Sequence, residues 1–284
     1  MIISGMVIGN DIILSASKNL VPYILTLGDD ISMNDVLYGA CKGGHVEMAE
    51  YAISKGADDL NYGLDSACKY GHKKIVELLI SKGVGDLNDE LDNACEYGHK
   101  EIVELLILKG ADNLNHGLYR ACKYGNKEIV DLLISKGADD YRFGFYNACE
   151  SNSMQIVDLL ISKGTGNLNC GLCIACEKGN KEIVDLLISK GADDLNCGLY
   201  CACKYGHKEI VELLISKGAD DLNGGLISIL ETNFRFAAYI NNYKKIIDLL
   251  ISKGADDLNG GLRCAIDNDN QDLIKFMISK GAIF

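Results

Sequence analysis

Cysteine recurs at positions 41, 68, 95, 122, 149, 176 and 203, always 27 residues apart, and an alanine precedes it each time. Leu60, Leu87, Leu114, Tyr141, Leu168, Leu195 and Leu222 keep the same step, as do glycines from Gly56 to Gly218. A fixed period of this length means that one small structural unit is copied along the chain. After Gly218 the series resumes at Gly254, so one unit carries nine extra residues, and Gly281 restores the step. With a divergent first unit ending at Gly28, the count is ten.

The content of one unit predicts two short helices. Leu64, Ala67 and Cys68 stand at i, i+3 and i+4 and give a first helix one apolar face, which Gly71 stops. Ile75, Val76, Leu78, Leu79 and Ile80 cover roughly 200° of a second helix, a width that suits packing on both sides. Lys73, Lys74, Glu77 and Ser81 fill the remaining arc and face water. The position before the second helix is occupied by His45, His72, His99, Asn126, Ser153, Asn180 and His207, and reads as an N-cap column. Asn61 and its equivalents are expected to cap the first helix. Lys82-Gly83 and its equivalents end the second with a left-handed glycine. Glu90 stands where other units carry glycine, so that position does not require positive φ. A pair of helices this short cannot bury its faces alone, and in-line stacking gives one continuous core. The fold class expected is therefore an all-α solenoid, a single array over 1–284. Residues 1–31 form its divergent first unit, with Pro22 in the first turn of a helix. Regular units follow over 32–221, the unit with the insertion over 222–257, and a polar terminal cap over 258–284.

Tyr205-Gly206-His207-Lys208-Glu209-Ile210-Val211-Glu212-Leu213-Leu214, continuing to Asp220, resembles the second half of an ankyrin repeat, and the Ala67-Cys68 pair stands where that family has two alanines. The repeats are six residues shorter than the family's usual 33. The shortfall lies between the Gly83-type and Leu91-type positions, where the family places its β-hairpin finger. Gly63-Leu64-Asp65 replaces the family's Thr-Pro-Leu-His motif. The resemblance implies helix pairs joined by tight loops without projecting hairpins. The 27-residue form, rich in Asn, Ile, Lys and Asp, also resembles ankyrin-type proteins of giant DNA viruses. A chain of this kind is expected in the cytoplasm, of a host cell if viral, with no room after Phe284 for an appended module.

Composition narrows the function. The net charge of −12 supplies no basic surplus for nucleic acid, and no apolar run is long enough to cross a membrane. The histidines belong to the repeat and the glycines are helix stops, so neither a catalytic group nor a phosphate loop stands out, and no enzyme and no cofactor are expected. Twelve cysteines without a secretory signal fit a reducing compartment. Cys170, Cys173, Cys197 and Cys201 invite a zinc reading, but Cys170 and Cys197 share one column, too far apart for one tetrahedral centre, and no metal site is assigned.

Variation is concentrated in three first-helix columns. One runs Tyr38, Asp65, Asp92, Tyr119, Tyr146, Cys173 and Tyr200. The next runs Gly39, Ser66, Asn93, Arg120, Asn147, Ile174 and Cys201. The third, in the loop, runs Asp35, Tyr62, Asp89, His116, Phe143, Cys170 and Cys197. Tyrosine and arginine dominate protein interfaces, so a concave first-helix face is expected to bind a protein partner through Tyr62, Tyr119, Arg120, Arg142, Phe143, Tyr146 and Tyr200. A monomer is expected. The competing readings are a structural or drifting repeat protein without a strong partner, and a cysteine-based metal or redox module. Phe234-Arg235-Phe236 in the insertion is expected to pack as core.

Overall fold

The computed structural model describes residues 31–231 and 237–283, with the isolated positions 13, 16 and 18. Among them every regular element is a helix. The chain divides into two compact units, 1–140 and 141–284, each described by itself. In the first unit the helices are α1 (Met33–Gly43), α2 (Val46–Ser54), α3 (Leu60–Tyr70), α4 (Lys73–Ser81), α5 (Asn88–Tyr97), α6 (Lys100–Leu108), α7 (Leu114–Lys123) and α8 (Lys127–Ser135). In the second they are α9 (Tyr141–Glu150), α10 (Met154–Ser162), α11 (Leu168–Lys178), α12 (Lys181–Ser189), α13 (Leu195–Tyr205), α14 (Lys208–Lys217), α15 (Leu222–Leu230), α16 (Ala237–Lys253), α17 (Leu258–Asp267) and α18 (Gln271–Ser279). Odd-numbered helices are first helices and even-numbered ones are second helices. Within each unit the pairs stack in sequence, as the period predicts, and short loops stand where a hairpin finger would project.

First helices pack far more closely on one another than second helices do, and the reason is a column of small residues. A Cβ on Gly63 would stand 3.1 Å from the Sγ of Cys41, one on Gly117 3.1 Å from that of Cys95, and one on Gly198 3.3 Å from that of Cys176. Glycine is required there by proximity and not by backbone conformation. The seven column cysteines are fully buried, and burial pushes the thiols of Cys41, Cys122 and Cys149 up to about 12. They serve as small apolar filler. Second helices bury Ile75, Val76 and Leu79 and their equivalents, and leave Lys73, Lys74, Glu77 and Ser81 exposed.

Left-handed glycines end the elements where expected: Gly71 (φ +81°) and Gly98 (φ +81°) after first helices, Gly83 (φ +89°) and Gly110 (φ +110°) after second ones. Where the repeat loses the glycine, Asn152 (φ +59°) and Asp269 (φ +48°) keep the conformation, which short polar side chains tolerate.

Two assignments of caps change. First helices are capped not by Asn61 and its equivalents but by the residue two places earlier. Asp59, Asp194, Asp221 and Asp257 accept from the main-chain N–H of Tyr62, Cys197, Gly224 and Gly260 at 2.8–3.4 Å. The histidine column holds the N-cap position of the second helix by backbone geometry, yet His72, His99 and His207 make no side-chain cap there. Their rings turn back to the preceding repeat. His72 Nε2 lies 3.0 Å from the carbonyl of Lys42, His99 Nε2 2.9 Å from that of Lys69, and His207 Nε2 2.8 Å from that of Glu177. Asn126 Nδ2 donates to the carbonyls of Cys95 and Glu96, and Asn180 Nδ2 to those of Cys149 and Glu150. The column therefore satisfies orphan carbonyls at the end of the previous first helix. Among the described residues Asn270 alone does what the sequence predicts for the column, accepting from Leu273 N–H at 3.2 Å.

Among the described residues, the unit with the insertion has a longer second helix, which starts seven residues before the position equivalent to Lys208. α16 has 17 residues against nine in α12. Tyr243 stands in the histidine column, 36 residues after His207, and its hydroxyl donates to the Lys204 carbonyl at 3.2 Å. The bridge survives the insertion. Phe234-Arg235-Phe236, Pro22 and the rest of the divergent first unit, those three positions aside, lie outside the described residues.

Candidate functional site

The three variable columns are adjacent in space, which sequence spacing alone does not show. A residue of the first column meets residues 24 and 28 positions later, on the next first helix. Tyr38 stacks on Tyr62 with ring centroids 4.6 Å apart. Asn93 Nδ2 donates to Asp65 Oδ1 at 2.5 Å. His116 Nδ1 pairs with Asp92 Oδ2. Ser228 Oγ donates to the Tyr200 carbonyl at 3.2 Å. The same offsets bring Cys173 to Cys197 and Cys201, whose sulfur atoms all lie within 4.8 Å of one another.

Each residue expected to bind a partner can be placed on this lattice. In the first unit Tyr62 is 53% exposed despite its stack on Tyr38. Tyr119 is half-buried and lies parallel to His116, one turn earlier on α7, at 5.7 Å. Arg120 Nη1 donates to Glu96 Oε2 at 3.1 Å, and its buried Nε has no partner. In the second unit the Arg142 guanidinium lies over the Phe143 ring at 4.7 Å, and Phe143 remains 49% exposed. Tyr146 is half-buried against Phe145, which fills the core of its unit. Tyr200 donates its hydroxyl to Glu231 Oε2 at 2.9 Å. Tyr62, Arg142 and Phe143 thus present free surface, while Tyr119, Arg120, Tyr146 and Tyr200 are largely occupied by contacts within the fold.

Charge is buried in and beside these columns. Glu90, on α5, occupies the glycine column and is only 7% exposed, with Oε2 unpaired. Burial raises its carboxyl above the usual range. Burial also raises Asp92, against the opposing pull of His116 and Arg120.

A row of exposed tyrosines escapes a search confined to variable positions. Tyr70, Tyr97 and Tyr124 sit at the ends of consecutive first helices, and all are exposed. Lys42 lies over Tyr70 at 5.5 Å and Lys69 over Tyr97 at 5.3 Å. The signal is in the sequence, as an aromatic kept at a solvent-facing position of the repeat.

Cys170 does not join the other three cysteines, in keeping with its column separation from Cys197. Cys173 on α11 joins Cys197 and Cys201, which lie one turn apart on α13. Hydrogen bonds from Cys173 and Cys197 hold the Cys201 thiol down at about 7 against burial, while Cys173, on the donating side, is pushed up.

Among the described residues no helix is long and apolar enough to cross a membrane. A family model described as ankyrin repeats matches three stretches, 12–90, 91–143 and 145–224. Among solved structures, the human ASB11 ankyrin repeat domain superposes with a TM-score of 0.53 at 19% identity, covering 68% of this chain and 98% of that one. No curated protein matches. Three family matches spanning most of the chain, on helix pairs that stack in the family's manner without its hairpins, make this chain a member of the ankyrin-repeat family.

Proposed function

We propose that the chain is a non-enzymatic interaction module that binds a protein partner on the first-helix face. Ankyrin repeats are in general protein-interaction modules. The observation that carries the reading is the contrast between columns. Core positions repeat almost without change, whereas substitution gathers in three neighbouring columns that include the exposed Tyr62 and Phe143, with the exposed Arg142 beside Phe143 in the otherwise constant asparagine column. A stack of rigid helices offers such side chains at low ordering cost. The surface is acidic in balance, which favours a protein partner over nucleic acid. A cytoplasmic setting and a monomeric state belong to the same reading.

The experiment compares three baits against lysate of the native cell, followed by affinity measurement on whatever is captured. The baits are wild type, Tyr62→Ala with Tyr119→Ala, and Arg142→Ala with Phe143→Ala. A partner bound by wild type and weakened at least about tenfold by one pair, with helicity and melting unchanged, supports the reading. Failure to capture any specific protein, or affinity unchanged in both pairs, counts against it and favours a structural repeat protein without a strong partner.

A further inference from the structure

We propose that Cys173, Cys197 and Cys201 form a binding site for one thiophilic divalent cation of the zinc class. The three sulfurs come from two neighbouring helices of one unit and already lie within 4.8 Å of one another. Zinc–thiolate bonds of about 2.3 Å require sulfurs roughly 3.8–4.0 Å apart, so rotamer-scale closure suffices. The chelate is also well built in sequence. Cys197 and Cys201 project from one face at i and i+4, as paired ligands on a helix do, and Cys173 reaches them by the 24- and 28-residue offsets that pair side chains elsewhere in the molecule.

The ligand chemistry narrows the ion. Thiolate sulfur selects soft or borderline cations over calcium and magnesium. The carboxylates of Glu177 and Asp194 act on these thiols, as does the Lys204 ammonium. Three thiolates beside that acidic pair leave less uncompensated charge with a divalent ion than with a monovalent one. Among the described residues no histidine or carboxylate joins the trio, so the fourth position of a tetrahedral ion falls to solvent or to a group from a partner. Each sulfur that binds releases its proton to water. The seven column thiols are sealed in the core and do not compete. Cys170 contacts Tyr146 and stands apart from the trio.

The test uses the full chain, fully reduced and stripped of metal. Zinc is titrated against a chromophoric chelator, cadmium provides a sulfur-to-metal charge-transfer band, and alkylation followed by mass mapping shows which thiols the metal protects. The expected result is one equivalent of zinc per chain, with Cys173, Cys197 and Cys201 protected and Cys170 and Cys264 still reactive. Cys173→Ser, Cys197→Ser and Cys201→Ser should each weaken zinc at least about tenfold, and Cys170→Ser should not. Circular dichroism confirms that the variants fold, and exposed or half-buried positions give serine little to disturb. No stoichiometric zinc on folded wild type would overturn the proposal. So would a protected set without the three cysteines, or equal weakening by Cys170→Ser. None of these results depends on whether a protein partner is found.

Discussion

At the residue scale the departures from the repeat are more informative than its constants. Glu90 takes a place where neighbouring units have glycine packed on a cysteine, and its carboxylate is buried with one oxygen unpaired. A carboxyl whose folded pKa lies above its unfolded one penalises the folded state once ionised. Burial raises Glu90 in this way, so the penalty is absent below the unfolded value, grows as pH rises from there to the folded value and is complete above it. Glu90→Gln is therefore expected to stabilise the chain by about 0.5–1 kcal/mol at pH 7. The gain should fade as pH falls below the ordinary glutamate range. Urea denaturation of both proteins across that range checks this, and a gain that persists unchanged at low pH would show that ionisation is not the cause.

At the scale of the element, the helices were legible and their side-chain partners were not. Ile75, Val76 and Leu79 announce a buried stripe by spacing alone, and Gly71 and Gly83 announce the stops. His99 and Asn126 sit at a true N-cap position, and their polarity suggested capping of the helix that follows. The ring and amide instead reach the preceding first helix, some 30 residues back, because that helix ends in carbonyls its own turns cannot satisfy. Single-sequence periodicity carries no information about which of two neighbouring helix ends a side chain will choose. The cysteine trio was hidden for a related reason. Columns were aligned straight across repeats, whereas contacts run on the diagonal, from Cys173 to Cys197 and Cys201. The bridging role makes a prediction about interchange. His207→Asn is expected to stay within about 0.5 kcal/mol of wild type, since Asn180 makes the same bridge, while His207→Ala loses about 1 kcal/mol. Equal losses in thermal or urea unfolding would refute the assignment.

At the scale of the whole molecule, stability in a repeat protein resides in interfaces between neighbours, and one device ties them together repeatedly. The second residue of the first helix is asparagine in most units, and its Oδ1 accepts two main-chain N–H groups from the next loop. Asn115 takes those of Asp139 and Asp140 at 2.9 and 3.1 Å, and Asn196 those of Asp220 and Asp221 at 2.9 and 3.1 Å. The amide nitrogen donates to the first aspartate of the pair in turn, at 3.2 Å from Asn115 and 2.9 Å from Asn196. The latch recurs at Asn34, Asn88, Asn169 and Asn223. Among the described residues it is missing at two places where the sequence itself breaks. Arg142 replaces the asparagine in one unit. Asn61 faces Val84-Gly85-Asp86 in place of Ala-Asp-Asp and makes no such bond, and a shallow depression lined by Asp59, Asn61, Gly83, Val84 and Gly85 lies there. Insertion of nine residues does not disturb the device, since Asn223 still latches Asp256 and Asp257.

The central claim is that neighbouring repeats are held by these latches and not by helix propensity alone, and Asn61 supplies the internal control. Asn61, Asn115 and Asn196 occupy the same second position of their helices, so replacement by alanine changes local propensity equally in all three. The measurement is urea unfolding of Asn61→Ala, Asn115→Ala and Asn196→Ala beside wild type. Asn115→Ala and Asn196→Ala should each lose about 1–2 kcal/mol, with Asn61→Ala neutral or slightly stabilised. Equal effects at all three positions, or no loss at Asn115 and Asn196, would contradict the account.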